Sequence, residues 1–263
     1  MGKITDALKK AATERLARID RIDKRTEVKY ECIAKKTVDS KIDPRIITFF
    51  DPVSPVTEQY RSLRTNLQAL SSKRPIKAIT ISSSIHGEGK TITSLNLAVS
   101  MANDLDKKSI LIVDADLRRN RVSKYLGINS EIGLSDLLSN GSKVDDALLN
   151  IAGVKNLTVL PAGKVPHNSA ELLGSTKMKN LLGYLKSKYD FIIFDAPPII
   201  PVTDAGVLGA QTDGIVLVIQ ANRTQKGVVE HSNTLLKQAQ AKLLGYILTN
   251  IQYHIPAYIY RYL

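Results

Sequence analysis

The chain has 263 residues, a formal net charge of +12 and a single cysteine, Cys32. One cysteine excludes an internal disulfide and is typical of a reducing compartment, and no apolar run approaches the roughly 20 residues that a transmembrane helix needs. The start of the chain also lacks the apolar core of a signal peptide, so a cytoplasmic protein is expected. The basic excess indicates anionic surroundings, such as nucleotide, membrane lipid or nucleic acid.

Residues 1–50 are predicted to form a basic N-terminal extension. Apolar residues recur at helical spacing from Ile4 to Ile22 among many lysines and arginines, which predicts an amphipathic helix. Such a helix packs on a protein or lies on anionic lipid. The interspersed acidic residues, such as Glu14, favour the protein contact. One domain is predicted to follow at residues 51–252, before a tyrosine-containing tail at 253–263.

A buried strand that runs into a phosphate-binding loop is predicted at residues 79–91. The stretch ends in Gly-Glu-Gly-Lys-Thr at 87–91, and an apolar helical pattern follows. In this context glycines let backbone N–H groups approach phosphate oxygens, the lysine bridges the outer phosphates, and the Thr91 hydroxyl holds Mg²⁺. The match is imperfect because Ser84 replaces the first glycine of the usual pattern. The predicted ATP-binding residues are Ser84, Ile85, His86, Gly87, Glu88, Gly89, Lys90, Thr91 and Ile92.

Three carboxylates stand at the ends of two later apolar runs. The run at 109–118 contains Asp114 and Asp116, and the run at 190–198 contains Asp195. Unbroken apolar runs are typical of parallel strands covered on both faces, whose C-terminal ends share a ligand-binding edge. Asp195 thus has the position of an aspartate that holds Mg²⁺ beside phosphates. Each acid alone could be a turn former or a helix cap, but together with the loop they predict a nucleotide site.

The remaining pattern predicts the fold class. Further apolar strands are predicted at 157–160, 214–220 and 244–250, with helical patterns at 176–188 and 224–241. Strands that alternate with helices predict an α/β fold with a mostly parallel sheet and helices on both faces, in three α/β/α layers.

Over roughly residues 50–263 the chain resembles the bacterial tyrosine kinases of the capsular and exopolysaccharide type, a P-loop NTPase family. The loop at 84–91 matches the family's Walker A motif, residues 110–118 its Walker A′ motif, and residues 191–198 its Walker B motif. His86 stands where the family usually has proline. Further likenesses are the segments 202–205, 160–163 and 170–173, the helical pattern Glu58, Arg61 and Arg64, and the tyrosines at the end of the chain.

The resemblance implies an ATP- and Mg²⁺-dependent autokinase that phosphorylates its own C-terminal tyrosines in trans and regulates polysaccharide synthesis and export. It implies that Lys90, Asp114, Asp116 and Asp195 are catalytic. Thr91, Asp116 and Asp195 would bind Mg²⁺, and Asp114 would be the general base that accepts the tyrosine proton. The spacing of these residues alone does not separate the roles of Asp114 and Asp116. The implied phosphoacceptors are Tyr253, Tyr258, Tyr260 and Tyr262.

The resemblance also implies partners. Glu58, Arg61 and Arg64 would lie at the subunit contact of a homo-oligomeric ring. The transmembrane activator that some relatives carry on the same chain would be a separate polysaccharide co-polymerase, which would hold the kinase at the inner face of the cytoplasmic membrane. Protein substrates in polysaccharide synthesis are expected, and a nucleic-acid partner is not.

Two alternative functions stay open. One is an ATPase switch of the partitioning or septum-placement type, although the signature lysine of those proteins would fall at Ile85. The other is a noncatalytic, nucleotide-gated scaffold for polysaccharide assembly, which would keep the same fold and site.

Overall fold

The computed structural model describes residues 36–38, 41–73, 75–140 and 142–252, and its frame is one eight-stranded sheet. The strands are β1 (Lys36–Val38), β2 (Ala78–Ser83), β3 (Ile110–Asp114), β4 (Leu149–Ile151), β5 (Leu157–Leu160), β6 (Phe191–Asp195), β7 (Gly214–Gln220) and β8 (Leu243–Thr249). Their order is β1-β4-β5-β3-β6-β2-β7-β8. All neighbours are parallel except β4 and β5, which are antiparallel.

Helices alternate with these strands along the chain. They are α1 (Ile47–Phe50), α2 (Pro55–Lys73), α3 (Lys90–Ala102), α4 (Arg121–Leu126), α5 (Leu134–Asn140), α6 (Val144–Ala147), α7 (Ser169–Gly174), α8 (Thr176–Lys188), α9 (Asp204–Gly209) and α10 (Lys226–Gln238). None of the helices in the described ranges has the length and apolar character needed to cross a membrane.

The sheet separates two apolar cores. On β3, Leu111 and Val113 enter the core that α5, α8 and α9 cover, whereas Ile110 and Ile112 enter the core that α3 covers. Because both faces of the central strands are buried, their apolar runs are unbroken. The predicted α/β fold, with a mostly parallel sheet between helices, is confirmed.

Most predicted elements lie where the pattern put them. The strands at 157–160 and 214–220 and the helix at 176–188 have the predicted bounds, whereas the last helix is shorter, at 226–238. The last strand begins and ends one residue earlier than predicted, at 243–249. The short strands β1 and β4 were not predicted, since three residues give too little apolar alternation to detect.

The described residues before position 51 belong to the same fold. Strand β1 pairs in parallel with β4, and Ile42 and Ile46 are buried in the core beneath α3. The backbone N–H of Thr48 donates to Asn96 Oδ1 at 3.0 Å, which fastens α1 to α3. The boundary predicted between residues 50 and 51 therefore falls inside the domain. The rest of the predicted extension, residues 1–35 and 39–40, and the tail with Tyr253, Tyr258, Tyr260 and Tyr262 lie outside the described residues.

Candidate active site

The phosphate-binding loop predicted from the sequence joins β2 to α3 at the C-terminal edge of the sheet. Gly87 and Gly89 have positive φ angles of 85° and 94°. Residues with a Cβ atom rarely adopt this conformation, whereas glycine adopts it readily. Helix α3 begins directly after Gly89. Its first N–H groups have no partners within the helix, so this end suits a phosphate anion.

The lysine, the threonine and two acids predicted for catalysis meet at this edge. Lys90 Nζ lies 3.0 Å from Asp116 Oδ2 and 3.5 Å from Asp195 Oδ2. The Thr91 hydroxyl donates to the same Asp195 oxygen at 2.6 Å. The Ser94 hydroxyl donates to the other Asp195 oxygen at 3.1 Å. Ser94 was not predicted, although residues three apart on a helix share a face.

Asp114 and Asp116 have different surroundings. Asp114 is fully buried, and its two carboxylate oxygens accept the backbone N–H groups of Asp116 at 3.2 Å and Val122 at 2.9 Å. Asp116 Oδ1 is also buried, but it has no hydrogen-bond partner among the described residues. Asp114 therefore braces the turn after β3, whereas Asp116 offers an oxygen to the site.

Burial dominates the electrostatics of these groups. Burial, followed by the charge of Asp195, raises the pKa of Asp114 well above its ordinary value. Burial likewise raises the pKa of Asp195, although Lys90 and the Thr91 hydroxyl oppose the shift. Burial also disfavours the charge on Lys90, but Asp195 and Asp116 outweigh it, so the pKa of Lys90 is raised. When the three carboxyl groups are ionised, their negative charge exceeds the positive charge of the one ammonium, and a divalent cation would neutralise the excess.

The donors at this edge fit Mg²⁺ that arrives with a nucleotide. In the described part of the chain, no group of three or more His, Cys, Asp or Glu side chains is placed to hold a metal ion. Mg²⁺ usually takes one or two carboxylates together with substrate phosphates and water. The Thr91 hydroxyl, Asp195 and the partnerless oxygen of Asp116 are hard donors of this kind.

A cavity of about 280 Å³ lies over the loop. Its lining combines loop residues with basic and aromatic side chains from other elements: Arg45, His86, Gly87, Gly89, Lys90, Thr91, Ile92, Asp116, Arg119, Arg121 and Tyr125. Three of the predicted ATP-binding residues, Ser84, Ile85 and Glu88, do not line it.

Glu88 supports the loop instead. Its buried carboxylate accepts the backbone N–H of Ile85 at 2.8 Å and that of Gln220 at 3.3 Å, as well as the Thr224 hydroxyl. Its backbone oxygen accepts the Thr249 hydroxyl at 2.8 Å. Glu88 thus ties the loop to the C-terminal ends of β7 and β8.

His86 and Ser84 also differ in their surroundings. The His86 backbone oxygen accepts a hydrogen bond from Arg223 at 3.1 Å, and its imidazole lines the cavity. Burial, and then Arg119, lower the pKa of His86, which favours the neutral ring. Ser84 is buried, and its backbone oxygen accepts the N–H of Ile200 at 3.2 Å.

Comparisons with known proteins identify the family. Residues 76–245 match a family model described as an AAA domain. The chain is 38% identical over 214 residues to the tyrosine-protein kinase YwqD of Bacillus subtilis (strain 168), which covers 81% of this chain and 89% of that protein. The chain belongs to the bacterial tyrosine-protein kinases. The kinase domain of Escherichia coli tyrosine kinase ETK has the same fold, with a TM-score of 0.75 and 29% identity over 81% of this chain and 83% of that one.

The alternative ATPase class is structurally more distant from this tyrosine-protein kinase family member. The septum site-determining protein MinD from Pyrococcus horikoshii OT3, complexed with Mg-ADP, matches with a TM-score of 0.55 and 27% identity. The match covers 70% of this chain and 75% of that one. At position 85, where the signature lysine of that class would fall, this chain has isoleucine.

The three residues of the kinase that were predicted at a subunit contact do not share one environment. Glu58 and Arg61 pair with each other on the exposed side of α2. Arg64 has a side chain only 17% exposed and lies 3.6 Å from Asp104. It also donates to the backbone oxygen of Ser100 at 2.7 Å. Arg64 therefore joins α2 to the end of α3 within the domain, and Glu58 and Arg61 remain available to another molecule.

Four residues of the cavity are not among the predicted site residues: Arg45, Arg119, Arg121 and Tyr125. Arg119 and Arg121 follow the motif at 110–118 in the sequence, whereas Arg45 and Tyr125 lie outside every predicted motif. Arg45 precedes α1, Tyr125 belongs to α4, and the Arg45 guanidinium lies 4.8 Å from the centre of the Tyr125 ring. No motif surrounds either Arg45 or Tyr125 in the sequence. Packing between distant segments brings these two residues to the site, so no local pattern predicts them.

Proposed function

We propose that this protein is an ATP-dependent tyrosine kinase that phosphorylates tyrosines of its own tail, residues 253–263, in trans. The observation that carries the proposal is the contact of Lys90 and Thr91 with Asp195 in a chain that belongs to the bacterial tyrosine-protein kinases. Phosphoryl transfer is catalysed mainly by positioning and by neutralising charge, which these groups supply.

Each group at the loop has an assigned part. The amides around Gly87 and Gly89 and the Lys90 ammonium would hold the phosphates, and Thr91, Asp195 and Asp116 would hold Mg²⁺. When bound, the metal supplies positive charge beside the transferred phosphoryl group. Because Lys90 contacts Asp116 and Asp195, its ammonium exchanges these carboxylates for phosphate oxygens when nucleotide binds.

The acceptor phenol needs a base, since a free tyrosine has a pKa of about 10. We assign this part to Asp114, because burial raises the pKa of its carboxyl and so makes the carboxylate more basic. The assignment has a structural requirement: Asp114 is fully buried, so the groups that cover it must move before a phenol can approach. Asp114→Asn should abolish transfer but keep nucleotide binding, whereas Asp116→Asn should raise the Mg²⁺ concentration that transfer requires.

The proposed biological setting is the regulation of exopolysaccharide or capsule synthesis and export. The kinase would work as a homo-oligomer, suspected to be a ring, at the inner face of the cytoplasmic membrane. There a separate transmembrane polysaccharide co-polymerase would activate it, and proteins of polysaccharide synthesis would be further substrates. The family membership and the exposed Glu58 and Arg61 pair support this setting.

Incubation of the full-length protein with ATP labelled at the γ-phosphate tests the function. Label on tyrosine supports the kinase. Release of phosphate without labelled protein would support the ATPase switch, and binding without turnover would support the scaffold.

A further inference from the structure

Three arginines surround the outer part of the active-site cavity, and we call Arg45, Arg119 and Arg121 the basic rim. They come from separate segments: Arg45 precedes α1, Arg119 lies in the turn after β3, and Arg121 is the first residue of α4. Three distant segments thus bring positive charge to one opening.

The basic rim is separate from the groups that hold nucleotide phosphates. The Arg45 side chain is 60% exposed, whereas Lys90 is 11% exposed and Asp116 1% exposed. The cavity therefore has acids at its floor, the loop lysine above them and guanidinium groups toward solvent. A phosphate is repelled by the floor and attracted by the basic rim, so the rim suits an anion that enters from solvent.

Part of the positive charge of the basic rim is unpaired. In the region that the structure describes, Arg119 and Arg121 take part in no ion pair. Arg45 is fixed by Asp43, to which its Nε and Nη2 donate at 2.8 and 2.7 Å. The rim thus combines one oriented guanidinium with two that are available to a ligand.

An aromatic wall accompanies these charges. The Arg45 guanidinium lies 4.8 Å from the centre of the Tyr125 ring, which is cation–π distance. Arginine clusters recognise phosphorylated side chains through bidentate, charge-assisted hydrogen bonds. A planar guanidinium can also stack on an aromatic ring. A phosphotyrosine offers both features, a dianion and a ring.

We infer that the basic rim binds a phosphotyrosine next to the acceptor tyrosine, so that one transfer to a tail favours the next. The inference rests on the proposed function. The sequence of the tail has tyrosines at alternate positions, Tyr258, Tyr260 and Tyr262. In an extended peptide, side chains two residues apart lie on the same side of the chain, about 7 Å from each other. When one tyrosine of the tail is the acceptor at the floor of the cavity, the next tyrosine therefore lies near the basic rim at the cavity opening.

Peptide binding to the full-length protein tests the inference. Two peptides with the sequence of residues 257–263 are compared by fluorescence anisotropy, one unmodified and one phosphorylated at Tyr260, in Mg²⁺ and ADP so that no transfer occurs. The phosphopeptide should bind about tenfold more tightly, since its phosphate gains charge-assisted bonds. The double variant Arg45→Gln/Arg121→Gln should lose this preference. Lys237→Gln, which removes one charge from an exposed position on α10, should keep it.

Equal affinity of the wild type for both peptides, or a preference that survives in the double variant, would overturn the inference. It would also be overturned if the double variant lost ADP affinity and kept the preference, because the arginines would then serve the nucleotide. A separate incubation with ATP that yields no phosphotyrosine would contradict the proposed function. The peptide preference, measured in ADP, would still decide the inference.

Discussion

Thr249, the last residue of β8, donates a hydrogen bond from its hydroxyl to the backbone oxygen of Glu88 inside the phosphate-binding loop, at 2.8 Å. Its methyl group lies 3.6 Å from the position that a side chain on Gly89 would occupy. Because the chain continues from β8 toward the tail, the strand that precedes the proposed acceptor tyrosines touches the proposed phosphate-binding loop.

Thr249→Val removes this hydrogen bond and keeps the shape of the side chain. A neutral hydrogen bond contributes about 0.5–1.5 kcal/mol, so nucleotide affinity, measured by isothermal titration calorimetry, should fall by roughly threefold to tenfold. The matched control is Thr234→Val, because the Thr234 hydroxyl donates to the backbone oxygen of Glu230 within α10. A folded Thr249→Val protein with unchanged affinity would show that the contact does not shape the loop.

Lys90→Met should abolish tyrosine phosphorylation. Without the ammonium, the phosphates lose a cation in a partly dry site, and the buried carboxylates of Asp116 and Asp195 lose their compensating charge. The measurement is label on tyrosine at saturating ATP, with circular dichroism to confirm folding. Lys237→Met, which replaces a lysine at an exposed position on α10, is the matched control. Near-normal phosphotyrosine labelling of the Lys90→Met variant would show that this loop is not part of the catalytic site.

The buried Asp114 should make stability fall as pH rises. Burial raises the folded-state pKa of this carboxyl above its ordinary value of 3.8. Between the two values the folded chain binds more protons than the unfolded chain, so rising pH favours unfolding. Asp114→Asn removes this titration, although asparagine can accept only one of the two amide hydrogen bonds. The melting temperature of the variant minus that of the wild type should therefore increase as the pH rises above about 4, and a difference independent of pH would contradict the account.

Substitutions on α2 should distinguish a residue that stabilises the folded subunit from residues that hold the oligomer together. Arg64→Ala removes a charged donor from the backbone oxygen of Ser100 and should destabilise each subunit by about 1–3 kcal/mol. The double variant Glu58→Ala/Arg61→Ala loses an exposed ion pair and an exposed hydrogen bond from Arg61 to the backbone oxygen of Pro52, and its melting temperature should change little. Light scattering should show this double variant shifted toward monomer. The predicted interface fails if the oligomer persists, or if the wild type is monomeric at every concentration.

The sequence predicts the centre of the fold and of the site for physical reasons. Parallel strands buried on both faces have unbroken apolar runs, so β3 and β6 were predictable. Their C-terminal ends share one edge, so the meeting of Lys90 and Thr91 with Asp195 followed from the topology.

Other parts of the site depend on contacts that no local pattern shows. Glu88 was predicted beside ATP, but Gln220 and Thr224, far along the chain, draw its carboxylate away from the cavity. Arg45 reaches the site because α1 is fastened to α3 by Thr48.

The difference in surroundings between Arg64 and Glu58 has a geometric cause. Six residues turn a helix by about 600°, which leaves the side chain about 120° from its starting direction. Arg64 therefore faces α3 while Glu58 faces solvent.

Mass spectrometry of the full-length protein after incubation with ATP and Mg²⁺ tests the central claim most directly. Most phosphotyrosine should lie on Tyr258, Tyr260 and Tyr262, and a chain truncated after Gln252 should lose this signal yet still bind ATP. Tyr60 should stay unmodified, because burial raises the pKa of its phenol and the side chain packs against the core. Phosphorylation confined to Tyr30, Tyr60 or Tyr125 would contradict a kinase that acts on its own tail.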